Sequence, residues 1–237
     1  MKKYIPDCIT SMNLACGIIG VVFAFKGRVD LAFILMLAAS VADFLDGTAA
    51  RLLDSYSDMG KELDSLSDLV SFGVLPSVML YNLQHTCMFG ESWICWIPLI
   101  ITLASGIRLA KFNVDTRQTD SFLGLPTPAC ALLCGSLCYY VAADPACFLA
   151  QWCAGPVFIP VLSVCLSALL VSEIPMFSLK FHREDPSVLK GKRMAFAFLV
   201  LAAILVCVLC RLNWSVIILL SISLYVVKNL LYAIVRI

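Results

Sequence analysis

Long apolar runs separated by short polar breaks fill most of this chain. They predict eight helical spans, at about 9–25, 31–53, 61–83, 93–112, 127–143, 154–172, 194–210 and 214–234. Most approach the length a helix needs to cross a bilayer core of about 30 Å. The longest polar interval, about 173–193, reads EIPMFSLKFHREDPSVLKGKR. No soluble domain, low-complexity tract or internal repeat interrupts the series. The N-terminal MKKYIPDC resembles the start of a signal peptide, but the apolar segment behind it continues to Phe25 without a small-residue cleavage pattern. It reads as an uncleaved first span.

Composition sharpens this into an all-α integral membrane protein. Of the 237 residues, 61% are hydrophobic and 14% charged, more apolar surface than a soluble domain of this size needs. The net charge of +1 points to no partner, and no nucleic-acid role is expected. Of twelve cysteines, Cys130, Cys134 and Cys138 share one helix face, and Cys207 and Cys210 form a single CxxC. With only His85 and His182 as histidines, both in predicted loops, the thiols read as small residues at helix contacts rather than a metal or redox site. Placing both termini in the cytoplasm puts fourteen of the seventeen Lys and Arg residues on the inner side and leaves only Lys26, Arg28 and Arg211 outside, the bias expected of cytoplasmic loops.

One stretch breaks the apolar pattern. Residues 41–73, VADFLDGTAARLLDSYSDMGKELDSLSDLVSFG, hold seven of the sixteen acids. DSYSDMG reads as a turn, with Ser57 or Asp58 capping a helix that starts near Lys61. Asp43 and Asp46, three apart, share a face of the second span, while Asp64 and Asp68, four apart, share a face of the third. If the faces oppose, four carboxylates converge at one depth. Each costs about 2.5–3.5 kcal/mol near a membrane centre, so something must neutralise them. Mg²⁺ or Mn²⁺ takes oxygen ligands and bridges substrate phosphates. Gly47 and Ala50 leave room for a ligand at the helix backbone, and Arg51 can reach a phosphate. Asp68 lies furthest past the bend and is the candidate to take a proton from an alcohol.

The series Asp43-xx-Asp46-Gly47-xx-Ala50-Arg51-x8-Gly60-xxx-Asp64-xxx-Asp68 matches all eight fixed positions of the signature of the CDP-alcohol phosphatidyltransferases, which this chain therefore resembles. The resemblance implies that Asp43, Asp46 and Asp64 bind metal, two ions in all, and that Asp68 is the general base and also touches metal. It places Gly47 and Ala50, with Asp43, Arg51, Gly60 and Asn13, around the cytidine nucleotide. It implies a homodimer with a six-span catalytic core, here 1–172, followed by the basic loop 173–193 and two additional spans in 194–237.

Three further segments address the acceptor: TSMNLACG (10–17), SGIRLAKFN (105–113) and FLGLPTPA (122–129). They are similar to the corresponding segments of bacterial family members that accept L-serine. Arg108, Lys111 and Asn113 are the candidates to hold a serine carboxylate or a substrate phosphate. Lys111 stands where the family segment often has arginine, and lysine cannot offer a two-pronged donor. The basic 173–193 loop suits anionic lipid headgroups. The expectation is metal-dependent transfer of the phosphatidyl group from CDP-diacylglycerol to L-serine at the cytoplasmic face of a bacterial inner membrane, releasing CMP. The alternatives are the same chemistry on glycerol 3-phosphate or inositol and, more remotely, a cation or proton transporter.

Overall fold

The computed structural model describes residues 4–55, 57–88, 92–114, 122–176 and 213–235. Within them the protein is a helical bundle: α1 (Ile5–Phe25), α2 (Val29–Leu52), α3 (Asp58–Asp68), a π-helical turn (Leu69–Val74), α4 (Leu75–Met88), a 3₁₀ turn (Trp93–Leu99), α5 (Ile100–Val114), α6 (Thr127–Ala143), the short α7 (Phe148–Cys153), α8 (Phe158–Val171) and α9 (Trp214–Val235). Seven of the eight predicted spans coincide with these helices. The seventh, 194–210, and the basic loop from residue 177 onward lie outside the described residues. Ile5–Phe25, Asp58–Cys87, Trp93–Val114 and Trp214–Leu231 are each long and apolar enough to cross a membrane.

α1 shows how such a bundle holds together. Its buried residues, Pro6, Thr10, Asn13, Gly17, Gly20 and Ala24, are small or polar, whereas Ile5, Met12, Ile18, Ile19, Val22 and Phe25 face outward. Lipid is as apolar as these side chains, so association rests on close packing and hydrogen bonds rather than on hydrophobic burial. A Cβ on Gly17 would collide with the Ser71 side chain, and one on Gly20 would stand 2.7 Å from Leu75 Cδ2. Ser71 Oγ donates to the Asn13 carbonyl at 3.0 Å, and Ser67 Oγ to the Thr10 carbonyl at 3.3 Å, tying α1 to α3 and the π turn. Gly27, at φ +72°, reverses the chain into α2. There the exposed Arg28 donates two hydrogen bonds to Asp30, which hold its carboxyl below the usual range.

α6 lies at the centre. Cys130, Cys134 and Cys138 are buried in it and free, packed as small core residues. Cys207 and Cys210 lie outside the described residues. His85, expected in a loop, sits in α4 and stacks on Tyr81 at 5.9 Å, because that helix continues past the predicted end of its span. α7 was not expected; Gly155 and Pro156 separate it from α8.

The 122–129 segment is a strap. Phe122–Leu123 pairs antiparallel with Pro175–Met176, and the Leu125 amide donates to the Leu169 carbonyl at 2.9 Å. Gly124 has φ +75°, and an added Cβ would stand 2.7 Å from the Ser172 carbonyl oxygen and 2.8 Å from that of Leu170. Gly124→Ala is expected to lower stability by about 1–3 kcal/mol, read as a drop in Tm of the protein in detergent.

Candidate active site

α2 and α3 form the hairpin that the acidic pattern predicts. α2 ends at Leu52, and the turn passes through Asp54 at φ 47°. Ser57 caps α3, its Oγ accepting from the Gly60 amide at 2.9 Å. α3 packs against α1, which also packs on α2, and the hairpin brings the two acidic faces together. Asp43, Asp64 and Asp68 present carboxylate oxygens that all lie within 4.8 Å of one another. Asp46 stands beside this trio, only 6% exposed and close enough to interact electrostatically with Asp64. One oxygen each of Asp46 and Asp64 is buried without a hydrogen-bond partner.

Buried acceptors of like charge are costly without a cation or donor. A set made only of carboxylate oxygens, with orphaned lone pairs among them, fits a hard divalent cation. Asp68 has a neutral donor: Asn13 Nδ2 donates to its Oδ1 at 3.2 Å. Asn13 therefore faces the carboxylate cluster.

Next to the cluster is a cavity of about 210 Å³ lined by residues of α1, α2 and α3, among them Asp7, Thr10, Asp46, Gly47, Ala50, Gly60, Lys61 and Asp64. A Cβ on Gly47 would meet nothing within 4 Å, so it would project into open space. At Gly60 it would stand 2.9 Å from both Asp7 Oδ1 and Ser57 Oγ. Arg51 is exposed, and its Nε donates to the Gly47 carbonyl at 2.9 Å, which keeps it at the margin of this cavity. Asp7 and Thr10 were not singled out from sequence. The signal for Thr10 is the small and polar stripe of α1, spaced alternately by four and three residues; Asp7 lies one residue off it.

Beyond Asp68 the helix widens into the π turn, a feature frequent at functional sites. Facing it is α5. Ser105 is fully buried, its Oγ without a partner. Arg108 is 8% exposed; its Nη1 donates to Thr127 Oγ1 at 2.7 Å, and its Nε is buried without a partner. Its guanidinium lies within electrostatic reach of Asp68. The two other α5 candidates lie further out. Lys111 is exposed. Asn113 Nδ2 donates to Ser65 Oγ at 2.9 Å, and the Asn113 carbonyl accepts from Lys61 Nζ at 3.0 Å. These two bonds clasp α5 to α3.

The site thus has two parts around the carboxylates. One is a cavity lined by small residues beside the carboxylates, and the other holds a buried guanidinium. Such a division suits a membrane enzyme that joins a nucleotide-activated lipid to a second substrate. Residues 3–165 match the family described as CDP-alcohol phosphatidyltransferase, and the chain belongs to it. The match contains all four aspartates and Arg108 and ends within α8, well short of α9.

Within that family, the chain is 31% identical over 183 residues to the CDP-diacylglycerol–serine O-phosphatidyltransferase of Bacillus subtilis, covering 77% of this chain and 95% of that protein. It is 30% identical over 211 residues to the protein of that name from Mycobacterium bovis, covering 86% and 71%. It is 31% identical over 184 residues to the archaetidylserine synthase of Methanothermobacter thermautotrophicus, covering 76% and 70%.

Proposed function

We propose that this chain transfers the phosphatidyl group of CDP-diacylglycerol to the hydroxyl of L-serine, giving phosphatidylserine and CMP. The observation that carries the reading is the buried Arg108 guanidinium within electrostatic reach of Asp68, a member of the carboxylate cluster that adjoins the small-lined cavity. It sets an anion-binding group and room for a nucleotide beside one cluster of carboxylates. The names of the relatives supply the acceptor.

In this mechanism Gly47, Ala50 and Gly60 admit the cytidine nucleotide against the helix backbones. Asp43, Asp46, Asp64 and Asp68 hold Mg²⁺ or Mn²⁺, as two ions. Metal held there would supply neutralisation of the diphosphate charge and of the charge developing on CMP. Arg108 holds the serine carboxylate and so orients the hydroxyl. Asp68 accepts the hydroxyl proton as the serine oxygen forms its bond to the phosphorus bearing diacylglycerol, and the bond from that phosphorus to the CMP oxygen breaks. Asn13 holds Asp68 in place for this transfer. Most of the acceleration comes from positioning and charge stabilisation.

The same proposal places the site at the cytoplasmic face of a bacterial inner membrane, with both termini cytoplasmic and membrane lipids around a homodimer. It assigns catalysis to residues 1–172, with the 173–193 loop at the headgroups and 194–237 as an addition to the core. The bias of Lys and Arg toward one side supports the orientation.

Purified protein in mixed micelles with CDP-diacylglycerol and Mn²⁺ is expected to release CMP with L-serine, and not with glycerol 3-phosphate or inositol. Release with another alcohol alone would remove the serine assignment and keep the hairpin chemistry. CDP is expected to raise Tm only when a divalent cation is present, and EDTA should erase the shift; a transporter has no reason to behave so. Arg108→Lys keeps the charge but loses the planar donor fork. It is expected to raise the serine KM by about tenfold or more, with the CDP-dependent Tm shift retained.

A further inference from the structure

α9 lies outside the segment matched to the family, yet it reaches the site. Its first residue, Trp214, stacks on Phe33 of α2 at 5.6 Å and 18° and packs on Tyr139 of α6 at 5.0 Å. These contacts anchor the start of α9 beside the C-terminal part of α6, and the two helices pack together from there. Tyr225 comes eleven residues later, about 16 Å further along the axis at 1.5 Å per residue. That carries it back to the beginning of α6, where Thr127 accepts from Arg108. Tyr225 is 6% exposed and lies within electrostatic reach of the Arg108 guanidinium. α9 also buries Val216, Leu219, Val226 and Asn229.

A phenol and a guanidinium that share a buried site in a membrane bundle constrain one another, because neither finds water there. Thr127 fixes one edge of Arg108 from α6, and Tyr225, buried on α9, lies within electrostatic reach of the same group. The Arg108 Nε is buried without a partner, and the guanidinium lies within electrostatic reach of Asp68. We propose that Tyr225 is a positioning residue for the acceptor: from the added C-terminal helix it orients Arg108 to receive the serine carboxylate beside Asp68. This inference rests on the serine reading above. It gives one of the additional spans a part in choosing the substrate.

The test uses the full-length protein in mixed micelles with CDP-diacylglycerol and Mn²⁺, varying each substrate separately. Tyr225→Phe removes only the hydroxyl. It is expected to raise the KM for L-serine roughly tenfold, while kcat and the KM for CDP-diacylglycerol stay within about twofold. L-Serinamide, which lacks the carboxylate, should turn over at the same rate with wild type and variant. Tyr225→Leu should raise the serine KM at least as far and provides a second reading should the first variant fold poorly. The CDP-dependent Tm shift in Mn²⁺ reports folding in each case.

An unchanged serine KM in Tyr225→Phe would overturn the assignment of Tyr225 alone. So would a rise in both KM values together with a fall in kcat and in the CDP-dependent shift, which would mark a purely structural residue. Wild-type protein that releases CMP only with a different alcohol would instead overturn the serine reading, and the carboxylate role of Tyr225 with it.

Discussion

Asp64→Asn is expected to abolish CMP release, by about a thousandfold or more, and to remove the rise in Tm that CDP gives in the presence of a divalent cation. Asp64 belongs to the trio whose oxygens lie within 4.8 Å, and it also lines the neighbouring cavity. The substitution swaps a buried carboxylate oxygen for an amide nitrogen that cannot ligate a hard cation, so nucleotide binding and turnover should fail together. Without ligand, the variant should be at least as stable as wild type, because one buried like charge has been relieved. A variant that kept the CDP-dependent shift would show that Asp64 is no ligand.

Asp68→Asn should behave differently, and the contrast separates the two roles. Asp68 is the member of the trio that accepts from Asn13 and lies within electrostatic reach of Arg108. As general base it is expected to contribute about 10²–10⁴ in kcat. Turnover should fall by that factor while Asp43, Asp46 and Asp64 still support the CDP-dependent Tm shift in Mn²⁺, weakened but present. Near-normal turnover with nucleotide binding intact would remove the base assignment. Loss of the shift as complete as in Asp64→Asn would make Asp68 chiefly a cation ligand.

The carboxylate hairpin was legible because helical spacing alone puts Asp43 with Asp46 and Asp64 with Asp68, and because Ser57 is a strong cap signal. Most span boundaries were legible for the same local reason. Pairings between distant parts of the chain were not. Nothing in SGIRLAKFN says that Arg108 donates to Thr127 or that Asn113 turns to Ser65 and leaves its carbonyl to Lys61. The approach of Tyr225 to Arg108 depends on where Trp214 finds Phe33 and Tyr139, a tertiary event with no periodic trace. The buried stripe of α1 was there to be read, but its small and polar residues invert the soluble-protein expectation that the inside is apolar. The break between α3 and α4 was hidden altogether, since the helix runs on from Asp58 to Cys87 and no Gly-Pro or other turn dipeptide marks Leu69–Val74.

That break, Leu69–Val74, has a consequence for length variation in this chain. A π turn holds one residue more than the α-helix it interrupts. Deleting a single residue from it would let the helix close into a regular ladder, and everything on one side would rotate by about 100° relative to the other. The apolar profile would be unchanged, so the protein should still insert. The aspartates of α3, however, would swing away from those of α2, or α4 would lose its seat against Gly20 of α1. This six-residue segment is where the chain should tolerate substitution better than a change in count.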